Sequence, residues 1–405
     1  MSAVREAVER LRRGHGRTLL AVAAGWLLVQ GFRVALPAVL PQIKAEFAVG
    51  TATAGFALTV LWFAYAGMQF PSGVVADRIG ERRLLIAGIA LGTVCLGIFY
   101  AAPVFAVFLL ACGAFGVGAG LFGTPRDMLL SRTFPETVNT AYTVTFAAGS
   151  VGAAALPFVV TALASRFGWR TAVLGLLPLF AVVLVALGRV VPSTERTDGD
   201  GLSPRETVVR TAAALADRTV LLASAGMVLF IFTYQSILSF LPTYLVEVKG
   251  LDQGVAAALF GLLFVFAAVA QPVSGTLADR YGERPTILVL VVLSTVTLVA
   301  LPFVDAGPGL TVLVPLLGVR IAIGPLTSAY VVRELPEAVQ GSGWGLLRTV
   351  FFGVGSTGSA VVGLFADAGL FDAAFLLLSG LTGVIVVFWL LLPSRRGALE
   401  AGRSP

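Results

Sequence analysis

A chain of 405 residues in which 57% are hydrophobic and only 12% charged, with a mean hydropathy of +0.93, lies far outside soluble domains, where roughly 25% of residues carry charge. The composition calls for an integral membrane protein. With one His, two Cys and two Lys, it argues against metal, thiol or acid–base enzyme chemistry, and the formal charge of +6 is no nucleic-acid footprint, because the basic residues cluster at the ends of apolar runs, where they set orientation.

In chain order, residues 1–17 form a charged tail in which His15 reads as a solvent residue. The first apolar run, about 18–40, is too long for a signal-peptide core and lacks a small-residue cleavage site, so it reads as a span. Trp26, Gln30, Arg33 and Pro37 recur in it at helical spacing and share one face. Further spans are expected at about 51–75, 84–101, 104–130, 138–163 and, after residue 170, up to 191. Cys95 and Cys112 lie inside apolar runs and read as small core residues. Residues 192–218 are the one substantial hydrophilic connector, most polar at Asp198–Gly201. Spans 7 to 12 are then expected at about 219–241, 255–277, 286–304, 310–332, 338–365 and 371–392, with a tail from 393 to 405. Twelve segments near 20 residues match helices crossing a hydrocarbon core of about 30 Å; the alternation of a β-barrel is absent. Assigning Lys and Arg by side gives 20 on the side of the N-terminus and four on the other, which predicts that both termini are cytoplasmic.

Two charged stretches, Gly73–Arg83 and Gly275–Pro285, repeat each other: Asp77, Arg78, Gly80, Glu81 and Arg82 return as Asp279, Arg280, Gly282, Glu283 and Arg284, each 202 positions on. At an offset of 201, Pro41 and Glu46 return as Pro242 and Glu247, and Arg132, Pro135 and Glu136 as Arg333, Pro336 and Glu337. Six spans preserve orientation, so this is a parallel repeat. The first copy fits G-x-x-x-D-R-x-G-x-R-[RK] and the second echoes it with Pro285 at the last position; the pair resembles the loop signature of the major facilitator superfamily of secondary transporters, and the likeness covers the whole chain.

The resemblance implies an all-α membrane protein of twelve helices in two six-helix bundles, here 18–191 and 219–392. It implies a carrier that works by alternating access as a monomer in the lipid bilayer, with no cofactor, metal or nucleic acid. It also implies that Asp77 lies near the start of span 11 and Asp279 near the start of span 5, where a carboxylate accepts from exposed helix N–H groups. Gly73 and Gly275 would permit close helix approach. On this reading an inner gate comprises Asp77, Arg78, Gly80, Arg82, Arg132 and Glu136 with Asp279, Arg280, Gly282, Arg284, Arg333 and Glu337, and it holds the outward-open state. The family's arginine before the Gly-rich run of span 4 is Cys112 here, which counts against a proton-driven drug antiporter.

Charges that break the repeat bear on cargo. The positions equivalent to Arg33, Arg126, Arg320 and Arg348 are Tyr234, Thr327, Ala119 and Ala147, and an arginine at mid-membrane costs at least about 2.5 kcal/mol on insertion scales. Four such arginines against one membrane acid, Asp127, point to an anionic solute such as an organic carboxylate. Arg33, Arg320 and Arg348 are the charged ligand candidates, with Gln30, Tyr65, Tyr234 and Gln235 as neutral ones. Arg126 and Asp127 read as an ion pair or a proton carrier, while Trp62 and Trp344 read as packing or lipid-facing residues. The co-transported species is open between proton, sodium and a counter-anion. The rival reading is an exporter of drugs or other amphipathic compounds. No Gly-Lys pair for a Walker loop occurs, so ATP hydrolysis by this chain is not expected.

Overall fold

The computed structural model describes residues 16–49, 51–192, 204–355 and 357–392. The tail with His15, the Asp198–Gly201 run and the tail from residue 393 lie outside the described residues. Among the described residues every regular element is helical, and eleven segments are long and apolar enough to cross a membrane: α1 (Gly16–Ala38), α2 (Phe56–Ile79), α3 (Glu81–Ala101), α4 (Phe105–Thr133), α5 (Val138–Phe167), α6 (Trp169–Val190), α7 (Arg218–Glu247), α8 (Ala258–Tyr281), α9 (Glu283–Phe303), α10 (Pro308–Glu334) and α12 (Phe371–Leu391). Between the last two, the helices Gln340–Gly355 and Thr357–Asp367 occupy the place of the eleventh expected span and together are called α11.

The charged signature is not the loop that its composition suggests. Helix continues to Ile79 and resumes at Glu81, leaving Gly80 as the corner at φ 85° and ψ 155°. The second copy turns in the same way at Gly282, φ 96° and ψ 155°. A residue with a Cβ is strained at such a φ, so glycine is the residue that lets two membrane helices meet without a linker. Glu81 and Glu283 then open the following helices, where a carboxylate complements the dipole. α7 starts differently: Asp217 Oδ1 accepts from the N–H groups of Thr219 and Val220, an ordinary N-cap.

The chain divides into two compact units. Unit 1 takes Met1–Pro135, Thr145–Thr211 and Pro336–Thr349; unit 2 takes Glu136–Val144, Ala212–Leu335 and Val350–Pro405. The opening turns of α5 and α11 are thus exchanged between the sequence halves. Unit 1 has an aromatic core in which Phe32 packs on Phe99 and Phe115, and Phe99 on Phe108. At the end of unit 1 away from the signature, Arg170 donates to Glu46 and to the carbonyls of Phe99, Tyr100 and Ala102, closing the last turn of α3. In unit 2, Tyr244 packs against Phe371 and Phe375 and donates to Asp372.

The corner geometry gives a direct expectation. Gly80→Ala places a side chain at positive φ and costs about 1–2 kcal/mol. Gly97→Ala, mid-helix with nothing within 4 Å of its Cβ position, is neutral or stabilising by up to about 1 kcal/mol. Thermal unfolding of the purified protein in detergent should therefore fall for the first variant and not for the second.

Candidate functional site

Four donated hydrogen bonds in unit 1 converge on Asp127, which is fully buried in α4. Arg126 donates to its Oδ1 through Nε at 2.8 Å and Nη2 at 2.6 Å. Arg348 Nη1 donates to Oδ2 at 2.6 Å and Trp344 Nε1 to the same oxygen at 2.9 Å. Arg348 is itself held on its other nitrogens: Nε donates to Gln69 Oε1 and Nη2 to Tyr65 Oη, both at 2.8 Å. Gln69 is fixed in turn, its Nε2 donating to the Tyr65 carbonyl while Thr124 donates to its Oε1.

Arg33 enters the same cluster from α1. Its guanidinium carbon sits 3.9 Å from the Trp62 ring centroid and 3.8 Å from that of Tyr65, a cation–π clamp, and the residue is 3% exposed. Arg126 is stacked likewise, 3.9 Å from Trp26 and 4.6 Å from Phe146. Arg33, Arg126 and Arg348 lie within electrostatic reach of one another around Tyr65. Burying like charges together is unfavourable unless they are compensated, yet Nε and Nη1 of Arg33 and Nη1 of Arg126 are buried without a hydrogen-bond partner.

Arg320 belongs to unit 2. It sits in the 3-10 stretch Leu317–Ala322, which follows Pro315 inside α10; such a tightened segment in mid-helix often marks a functional position. Its Nε donates to Ser294 Oγ at 3.1 Å and its Nη2 to Thr233 Oγ1 at 2.7 Å, and Nη1 is buried without a partner. Phe230 lies beneath it at 5.5 Å and stacks on Tyr234. Gln30 and Gln235 are partly exposed.

The signature residues form two matching sets of contacts. Asp77 accepts from the N–H groups of Gly341 at 3.0 Å and Ser342 at 2.8 Å; Asp279 accepts from those of Asn139 at 3.1 Å and Thr140 at 2.9 Å. Gly73 and Gly275 allow this approach, since a Cβ on Gly73 would lie 1.9 Å from the Gly341 carbonyl oxygen and one on Gly275 the same distance from Thr143 Oγ1. Arg132 pairs with Glu81 and Arg333 with Glu283. Arg82 donates to the Gly188 carbonyl and Arg284 to that of Leu390, holding the ends of α6 and α12. Asn139 Nδ2 also donates to Asp279 and Glu283. Arg78, Glu136, Arg280 and Glu337 are exposed.

Several of these roles escaped the sequence reading. Trp344 is a buried donor to the central carboxylate and not a lipid-facing residue, and Trp62 covers a guanidinium; a buried indole N–H needs an acceptor, but nothing local to Trp344 identifies one. Glu81 and Glu283 were visible as repeated residues, though not as the partners of Arg132 and Arg333. Gln69 carried a readable signal, because Gln271 precedes Gly275 by the same four positions by which Gln69 precedes Gly73.

A family model described as the Major Facilitator Superfamily matches residues 21–359. The multidrug resistance protein Stp of Mycobacterium tuberculosis is 24% identical, with 85% of this chain and 75% of that protein covered. The hexuronate transporter of Bacillus subtilis is also 24% identical, over 86% of this chain and 87% of its own length. Among solved structures, the fucose:proton symporter FucP of E. coli aligns with a TM-score of 0.78 at 16% identity, covering 94% of this chain and 100% of that one. The doubled signature, the all-helical architecture of membrane-spanning length and the extent of the family match lead to one conclusion: the chain is a multi-pass membrane transporter belonging to the Major Facilitator Superfamily.

Proposed function

We propose that this transporter carries a small organic anion, most simply a carboxylate, by alternating access of its two six-helix halves, 18–191 and 219–392. The observation that carries this reading is the charge ledger of the buried cluster: Arg33, Arg126 and Arg348 surround a single carboxylate, Asp127, and N–H groups on two of the three remain unpartnered. Guanidinium groups suit planar oxyanions, which they grip through two parallel hydrogen bonds. Arg320 adds a further buried cation whose contacts are hydroxyls. The hexuronate transporter among the relatives is consistent with an anionic cargo. Stp, a multidrug resistance protein, keeps the exporter reading in play; that reading calls for a greasy cavity in which the arginines pair with acids or face away.

In this reading Asp127 serves as counter-ion, and Tyr65, Gln30, Tyr234 and Gln235 supply neutral contacts. The aspartate caps are the contacts that open and close. Asp77 and Asp279 each tie one sequence half to a helix of the other half, so releasing them frees the opening turns of α11 and α5. Both termini are taken as cytoplasmic from the arginine distribution.

Counterflow in proteoliposomes tests the cargo. Labelled carboxylates should be carried by the wild type, and Arg33→Ala should abolish that transport while insertion and folding persist. Movement of neutral or cationic compounds, with Arg33→Ala and Arg320→Ala both tolerated, would instead support the exporter. The same assay tests the caps. Asp77→Asn and Asp279→Asn lose a charge-assisted bond worth about 1.5–3 kcal/mol and should slow counterflow at least about tenfold, whereas Arg78→Ala and Arg280→Ala, at exposed positions, should stay near wild type. Equal loss in all four variants would mean that the whole motif acts by charge alone.

A further inference from the structure

We infer that the preferred cargo is a dianion, gripped by the edges of Arg33 and Arg126, with Arg348 acting as a positioning residue and not as a ligand. This rests on the anion reading above and specifies it further.

The three arginines of unit 1 are not equivalent. Arg348 spends Nε, Nη1 and Nη2 on Gln69, Asp127 and Tyr65, so its guanidinium is committed to the protein on every nitrogen. Arg126 spends Nε and Nη2 on Asp127 and leaves Nη1 open. Arg33 leaves both Nε and Nη1 open. The open groups have a further property in common. Trp62 and Tyr65 lie against Arg33, and Trp26 and Phe146 against Arg126, at 3.8 to 4.6 Å from ring centroid to guanidinium carbon. Trp62 and Tyr65 stand at 89° to each other and Trp26 and Phe146 at 51°, so the two rings border each guanidinium from different directions, and what remains for an oxyanion is the N–H groups that have no hydrogen-bond partner.

Charge sets the valence of that ligand. Three guanidiniums and one carboxylate sum to two positive charges. Among the described residues, Arg126 and Arg348 both form their ion pairs with Asp127, and Arg348 and Arg126 are the cations that act on Arg33. A monoanion would leave one buried positive charge uncompensated, and buried charge is tolerated when it is paired. A ligand with two negative groups neutralises the cluster in one binding event and gives each open guanidinium edge an acceptor.

The test uses the purified full-length protein in detergent, at neutral pH and constant ionic strength, with thermal stabilisation and tryptophan fluorescence as readouts. Probes are dicarboxylates and carboxylate-sulfonates with one to six carbons between the charges, each matched with the monocarboxylate of the same chain length. The expected result is that at least one dianion binds at least about tenfold more tightly than its matched monoanion, the size of one charge-assisted contact. In Arg33→Gln, which leaves the Asp127 ion pairs untouched, that preference should collapse to within about threefold, and in Arg126→Gln likewise. Arg348→Lys should lower thermal stability while keeping the preference. Monoanions binding as tightly as every matched dianion would overturn the dianion inference and leave the anion reading standing. Binding of neutral or cationic compounds with no response to any anion would overturn both.

Discussion

A carboxylate with no solvent exposure inside a membrane helix must be matched in charge and in hydrogen bonds by its neighbours, and Asp127 is matched on both oxygens. Arg126 supplies one side from the same helix; Arg348 and Trp344 supply the other from a segment more than two hundred residues away. That long-range pairing ties the opening turns of α11 to unit 1. Gln69 and Tyr65 are then drawn in, because Arg348 has nitrogens left to satisfy once Asp127 is matched. Removing Asp127 would leave three buried guanidiniums without a counter-ion, whereas removing Arg33 would relieve repulsion within the cluster. The cluster therefore contains one residue, Asp127, that compensates its buried charge and one, Arg33, that adds to the repulsion while packing against Trp62 and Tyr65.

The signature residues meet a different requirement. Helices that join through a single glycine end close together, and the backbone groups at helix ends lack partners within their own helix. The chain meets this twice with the same chemistry: Arg82 and Arg284 donate to the last carbonyls of α6 and α12, and Asp77 and Asp279 accept the first N–H groups of α11 and α5. The first pair joins helices of one sequence half and the second joins one half to the other. Identical residue types in one motif thus serve two kinds of contact, one within a sequence half and one between halves.

What was legible in the sequence was whatever depends on length, hydropathy and repetition. Apolar runs of about twenty residues locate spans because a bilayer has a thickness, and an offset of 201 or 202 exposes the duplicated plan because each copy solves the same packing problem. The signature's backbone was misread, since its charged residues look like loop while only Gly80 and Gly282 leave the helix. Partner choice was less accessible still. Arg132 has Glu136 four residues away in sequence but pairs with Glu81, and Arg348 gives no local hint of Tyr65 or Gln69. Contacts between spans depend on the rotation of each helix about its axis, and uniformly apolar helices carry little periodic signal to fix that rotation.

The repeat also separates architecture from cargo. Where the first half has Arg126 and Asp127, the equivalent positions 201 residues on are Thr327 and Ser328, buried hydroxyls with no formal charge; the equivalent of Arg348 is Ala147. Gln69, by contrast, keeps a buried counterpart in Gln271, as Gly73 does in Gly275. Duplication has therefore preserved the residues that let helices approach, turn and cap one another, and has left unduplicated the residues that make unit 1 positive. A requirement of the fold would apply to both copies. The Arg126–Asp127–Arg348 arrangement has no counterpart at the equivalent positions of the other half, whose buried cation, Arg320, is in turn matched by Ala119, so these charges answer to something other than the shared plan.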